Sequence, residues 1–325
     1  MAVNLSHRKI LRRVHVLPSL LTLGNFACGF FSIILCLNAI LFTTRASMLS
    51  SETSASDRNV TESLAAAVPL ADPILDSTAF TAKASGLLQW ACIIVFLGMV
   101  FDMLDGKIAR HMGADSLFGK ELDSLADIVT FGVAPPVVVT TLWISVMPPQ
   151  ASWWGQVMIF GVVYAACAAL RLARYNVQTG VTDKNLFSGL PSPAAAGSVV
   201  TFVLLTEGDY AFVNSLWIWL SDLSGGLASP VQAKARLLAL FMLFVGSLMV
   251  TTIPFVHLAN RYLVGRKPFA ILVALIFLFA ILWHEPRLGV FILFNGYLLT
   301  GLGLAAWRLV IRSPAPAAVN RAEDE

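Results

Sequence analysis

The chain has 325 residues, of which 57% are hydrophobic and only 13% charged, and its mean hydropathy is +0.77. A soluble domain carries roughly a quarter of its residues as charges, so that class is excluded. The formal net charge is only +3, and no basic cluster with interleaved aromatics points to nucleic acid. The apolar residues fall in runs of about 17–25, the length that spans a bilayer as a helix. The expected fold is all-α: a polytopic membrane helix bundle of about eight transmembrane helices, preceded by a short amphipathic helix.

Residues 1–18 hold His7, Arg8, Lys9, Arg12, Arg13 and His15 among Ile10, Leu11, Val14, Val16 and Leu17. That spacing suits a cytoplasmic amphipathic helix on an anionic surface; it suits a simple charged flank equally well. Span one, about 19–43, opens at Pro18-Ser19, and Gly24, Asn25 and Gly29 give it a polar, closely packable face. It is too long for a signal-peptide core and is read as a retained span. Residues 44–85 turn to Thr, Ser, Ala, Asp and Pro and read as an extracytoplasmic loop or partly disordered insert. Span two is about 86–106. Span three is about 121–147 and carries the kinking pair Pro135-Pro136. Span four, about 153–175, ends in Arg171-Leu172-Ala173-Arg174-Tyr175-Asn176. Span five follows Gly189-Leu190-Pro191-Ser192-Pro193 and runs to about 206. A polar loop at 207–235 precedes spans six (236–257), seven (268–284) and eight (288–309). The bundle thus covers 19–311, and the Pro/Ala-rich tail 312–325 reads as disordered and cytoplasmic. Cys28, Cys36, Cys92 and Cys167 lie in apolar runs without a CxxC pair, and read as small buried hydrophobes.

With the N-terminus in the cytoplasm and eight alternating spans, 16 of the 22 Lys and Arg fall inside. The excess of inside cations fixes the orientation. It sets both termini, and the stretch Asp102–Asp127 with them, on the cytoplasmic side of a bacterial inner membrane.

That stretch holds the chemistry. Asp102 and Asp105 are three apart, and Asp123 and Asp127 four apart, so each pair shares a helix face. Carboxylates close to hydrocarbon are costly and mark function. Four of them near one another need a positive partner, and oxygen-rich sites suit hard divalent cations such as Mg²⁺ or Mn²⁺. A structural ion-pair network is the bland alternative, but span two offers no basic residue at their depth. Gly106 and Ala109 lack bulk on the acidic face, where a flat ligand can approach, and Arg110 is placed to hold a diphosphate. Arg171 and Arg174 reach the same level from span four and suit a carboxylate or phosphate, with Ser192 beside them; they also read as flanking and turn residues.

The run Asp102-x2-Asp105-Gly106-x2-Ala109-Arg110-x8-Gly119-x3-Asp123-x3-Asp127 resembles, position by position, the signature of the CDP-alcohol phosphatidyltransferase family. Leu17-Pro18-Ser19-Leu20-Leu21-Thr22-Leu23-Gly24-Asn25, Glu121 to Asp127 with Phe131 to Pro135, Arg171 to Asn176 and Gly189 to Ala194 resemble its phosphatidylserine synthase branch. The resemblance implies transfer of the phosphatidyl group of CDP-diacylglycerol to the hydroxyl of L-serine. It implies two Mg²⁺ or Mn²⁺ ions on Asp102, Asp105, Asp123 and Asp127, with Asp127 as general base. It implies the donor's nucleotide on Gly106, Ala109 and Arg110, and a homodimer. The signature does not choose the acceptor, so glycerol 3-phosphate or inositol phosphate remain alternatives. A cation-coupled transporter is a further class, for which inverted repeats and mid-bilayer carboxylates are the mark; no repeat is evident.

Overall fold

The computed structural model describes residues 16–56, 77–112, 117–147, 154–178, 189–208, 210, 213–215, 218–219, 222, 230–251 and 268–311. The expected amphipathic helix before residue 16 and the tail after 311 lie outside them. Among the described residues every regular element is helical. The order is α1 (Val16–Ser56), α2 (Ser77–His111), α3 (Leu117–Asp127), a π-helical turn (Ile128–Val133), α4 (Ala134–Val146), α5 (Trp154–Gln178), α6 (Ser192–Thr206), α7 (Pro230–Val250), α8 (Pro268–His284) and α9 (Pro286–Ile311).

Among the described residues, six helical stretches are long and apolar enough to cross a membrane: Leu17–Met48, Ala79–His111, Phe118–Val146, Gly155–Val177, Gln232–Val250 and Pro286–Trp307. The all-α polytopic membrane architecture is therefore what the residues form. The other two of the eight expected spans are shorter helices. α6 has 15 residues and α8 has 17, which at 1.5 Å per residue falls short of about 30 Å of hydrocarbon. Prolines at 191 and 193 open α6 late, and Pro268 and Pro286 bound α8.

Apolar side chains sort by position. α6 is buried nearly all round, from Ala195 to Thr206, and α4 over most of its length; a helix apolar on every side belongs in a core. α1, α2, α5, α7 and α9 surround them and turn Phe26, Phe30, Leu97, Ile159, Leu240 and Leu299 outward, the faces suited to acyl chains.

Several boundaries differ from the sequence reading. Residues 44–56 and 77–85, read as loop, are helical extensions of α1 and α2. Their small polar composition resembles a loop, but α1 and α2 pack as one long hairpin. Ala46 and Ala84 are buried, the Phe42 and Phe80 rings lie 5.9 Å apart, and Lys83 Nζ stands 4.6 Å from the Phe42 ring centroid. Tertiary packing here overrides weak propensity. Likewise α7 starts at Pro230, inside the expected loop, and runs to Val250; residues 252–257 of the expected span lie outside the described residues. Its end is capped from outside. The Leu190 N–H donates to Leu248 O at 3.2 Å, and Arg174 Nη1 donates to Val250 O at 3.1 Å. Gly189 makes that approach possible: its φ is +91°, and a Cβ there would meet Met249 O at 2.4 Å.

The proline pair does more than bend span three. Pro135 has no N–H to give the carbonyl of Phe131. Tyr164 of α5 donates its hydroxyl to that carbonyl instead, at 3.3 Å. The ladder just before it widens, with the Ala134 N–H reaching Val129 O. The π-turn follows Asp127 directly, and such turns often occur at functional sites.

A close helix approach lies beside it. Thr130 sits between α1 and α2, where Gly29 and Gly98 leave room. A Cβ on Gly29 would stand 2.5 Å from Thr130 Oγ1 and 2.7 Å from its Cα, and one on Gly98 2.6 Å from its Cγ2. Because backbone is involved at Gly29, Gly29→Ala is expected to destabilise by about 1–3 kcal/mol through overpacking. Gly296→Ala, where no atom lies within 4 Å of the new Cβ, is expected to be neutral or slightly stabilising. Thermal unfolding of both variants in detergent checks this; equal midpoints would contradict it.

Candidate active site

Both acidic pairs come to the same end of the bundle, because α2 ends there and α3 begins there. Asp102 and Asp105 lie within the last three turns of α2; Asp123 and Asp127 fall in α3. One carboxylate oxygen from each of Asp102, Asp123 and Asp127 lies within 4.8 Å of the others. Asp105 is outside that mutual group but lines the same cavity. It is 5% exposed, and Asp127 is 8% exposed. Thr22 of α1 lies against the Asp105 carboxylate.

The cavity is about 540 Å³, within the range of small-ligand sites. Its walls include Asp102, Asp105, Gly106, Ala109, Arg110, Asp123, Asp127, Arg171 and Ser192. Of the candidate residues read from the sequence, only Arg174 is not among them; its guanidinium caps α7 instead. Arg110 is exposed, and its Nε donates to Gly106 O of its own helix at 2.9 Å. Arg171 faces the acids from α5: its Nη1 donates to Ser192 Oγ at 2.9 Å. Its Nε is buried without a hydrogen-bond partner. Ser192 opens α6, so the Arg171 side of the cavity joins a guanidinium to a helix N-terminus, a pairing that favours anions.

Further residues line the cavity; of these Asn176 was a candidate helper for the acceptor from sequence, and Ser124 was not singled out. Ser124 and Asn176 close the gap between α3 and α5, with Asn176 Nδ2 donating to Ser124 Oγ at 2.9 Å. Pro18, Ser19 and Thr22 bring the start of α1 to the rim. Asn25 had been read only as part of a packing face. It is fully buried, and its Nδ2 donates to Asp127 Oδ1 at 3.1 Å. Thr130 Oγ1 returns a bond to the Asn25 carbonyl at 2.8 Å. The one sequence signal for this was an amide inside an apolar run, costly unless it is hydrogen-bonded.

The donor set fits a divalent cation. It is all oxygen, as hard cations require. Asp105 Oδ2 and Asp123 Oδ1 are buried and have no hydrogen-bond partner, which protein interiors rarely tolerate.

The profile of the CDP-alcohol phosphatidyltransferase family matches residues 15–227. The chain is similar to the archaetidylserine synthase of Methanothermobacter thermautotrophicus, 36% identical over 138 residues, 42% of this chain and 54% of that one. It is similar to the CDP-diacylglycerol–serine O-phosphatidyltransferase of Helicobacter pylori, 39% identical over 125 residues, 38% of this chain and 49% of that one. The Mycobacterium leprae protein of the same name is 36% identical over 154 residues, 44% and 49% of the two chains. The chain spans about half the length of these curated relatives.

If the carboxylates form a cation cage, saturating Mn²⁺ raises the thermal midpoint of the metal-free protein. At about 100 times the dissociation constant the gain is about 2.7 kcal/mol. Asp123→Asn is expected to lose most of that rise while unfolding normally without metal. An undiminished rise in the variant would contradict the assignment.

Proposed function

The chain belongs to the CDP-alcohol phosphatidyltransferase family, and from that premise we propose that it transfers the phosphatidyl group of CDP-diacylglycerol to the hydroxyl of L-serine, giving phosphatidylserine and CMP. The observation that carries this reading is that the acidic pairs of α2 and α3 face Arg171 and Ser192 across one cavity. Serine is common to the names of the three relatives, whereas the lipid differs between them. That supports the acceptor more strongly than the lipid.

The donor lies with its acyl chains among the outward apolar faces and its nucleotide against Gly106 and Ala109, where side-chain bulk is least. Asp102, Asp105, Asp123 and Asp127 would hold Mg²⁺ or Mn²⁺, as two ions, which when bound neutralise the diphosphate and the charge that develops on it. Arg110, exposed at the rim, swings from its own helix carbonyl to a phosphate. Arg171 and Ser192 hold an anionic group, the serine carboxylate or the lipid phosphate, and Arg174 keeps that wall in place by capping α7. Asp127 takes the proton of the serine hydroxyl. The serine oxygen bonds to the lipid-side phosphorus as the bond from that phosphorus to CMP breaks, and CMP leaves with the bridging oxygen. Holding the oxygen and phosphorus in line supplies a large part of the rate. The excess of inside cations supports a site that opens to the cytoplasm of a bacterium, and the protein acts as a homodimer.

The reading is tested by incubating the purified protein with CDP-diacylglycerol, Mn²⁺ and one alcohol at a time: L-serine, glycerol 3-phosphate or inositol phosphate. CMP release is expected with serine alone. Release with glycerol 3-phosphate, or equal release without any alcohol, would overturn it. Asp127→Asn is expected to lower serine-dependent release by at least about 10²-fold, the scale of a general base, while the protein stays folded. Turnover at the wild-type rate would reject the base assignment.

A further inference from the structure

Asp127 accepts a hydrogen bond from a side chain of another helix, far away in the sequence. Asn25 Nδ2 donates to Asp127 Oδ1 at 3.1 Å, across 102 positions. A carboxylate only accepts, so the amide must turn its NH₂ toward Asp127. Its Oδ1 is then left buried without a partner. Leaving that oxygen unsatisfied is costly, and an aliphatic side chain would fill the same space without the cost. The amide is also held rigidly. Its own carbonyl receives Thr130 Oγ1 at 2.8 Å, and Gly98 clears the space beside it, where a Cβ would stand 3.0 Å from Asn25 Oδ1.

We propose that Asn25 is a positioning residue of the acidic site: its amide occupies Asp127 Oδ1, so that Asp127 presents a single oxygen to a bound cation. This rests on the reading of the carboxylates as a cation cage. A consequence follows for ion choice. Ca²⁺ takes six to eight oxygens and draws on bidentate carboxylates, whereas the smaller ions are satisfied by six. Blocking one oxygen of a buried cage carboxylate therefore favours Mn²⁺ or Mg²⁺ over Ca²⁺. Removing the amide frees Asp127 to turn both oxygens into the cavity, and the preference relaxes.

The test is direct binding, without turnover. Mn²⁺ affinity and its competition by Ca²⁺ are measured on the metal-free, detergent-purified full chain. The wild type is expected to prefer Mn²⁺ by at least about tenfold. Asn25→Leu and Asn25→Ala are expected to shift that ratio toward Ca²⁺ by about 10- to 100-fold, the range seen when a partner of a metal ligand is lost. Thr130→Val removes the bond to the Asn25 backbone but leaves the amide. It is expected to lower the thermal midpoint and keep the ratio. No Mn²⁺ binding by the wild type would reject the cage itself. Binding without preference for Mn²⁺ would overturn the inference about Asn25 alone, even should neither Asn25 variant fold. An unchanged ratio in both Asn25 variants, or an equal shift in Thr130→Val, would overturn it as well.

Discussion

Four carboxylates stand where helices meet near hydrocarbon, and the rest of the structure depends on how they are held there. Burying an ion with no partner is expensive, so each acid needs a fixed neighbour or a bound cation. Asp127 has its neighbour in Asn25. Thr130, one turn further along span three, grips the backbone of the same asparagine. Two bonds in opposite senses thus tie α3 and its π-turn to α1. They form only because glycines at 29 and 98 let Thr130 come against both hairpin helices. The π-turn and the prolines after it set where α4 starts, and Tyr164 satisfies the carbonyl that Pro135 leaves free. Packing and site are therefore one arrangement, with the same few residues serving both.

The opposite wall is built differently. α5 supplies Arg171, α6 begins at Ser192, and α7 ends where Arg174 and Leu190 cap its last turn. A cation and a helix N-terminus face four acids across one cavity. Such a field separates roles: cations and their phosphates toward α2 and α3, an anionic acceptor group toward α5 and α6. The proposed reaction needs that separation, because donor and acceptor both carry negative charge and must still approach closely.

Much of this was legible in the residues. The three- and four-residue spacing of the aspartates puts each pair on one helix face, and the composition leaves no soluble alternative. The span containing Asp127 was placed within a few residues, whereas the helix containing Asp102 extends beyond the expected span at both ends. What the sequence hid is contact between distant positions. Nothing local tells that Asn25 meets Asp127, or that Arg174 turns away from the cavity to α7 while Arg171, three residues before it, turns in. Residues 44–56 and 77–85 look like loop because their many Ser and Thr are weak helix formers. Their helices are held by Phe42, Ala46, Phe80 and Ala84 packing across the hairpin. The widening of the ladder at 128–133 likewise has no pattern of its own, although the two prolines that follow are a hint.

The central claim is a direct attack of the serine oxygen on the lipid-side phosphorus within one cavity. The stereochemical course at that phosphorus tests it most closely. CDP-diacylglycerol made chiral there by a phosphorothioate is converted with L-serine, and the configuration of the product is assigned. A single in-line displacement predicts inversion. Retention would mean two displacements through a phosphatidyl-enzyme, and would contradict the account.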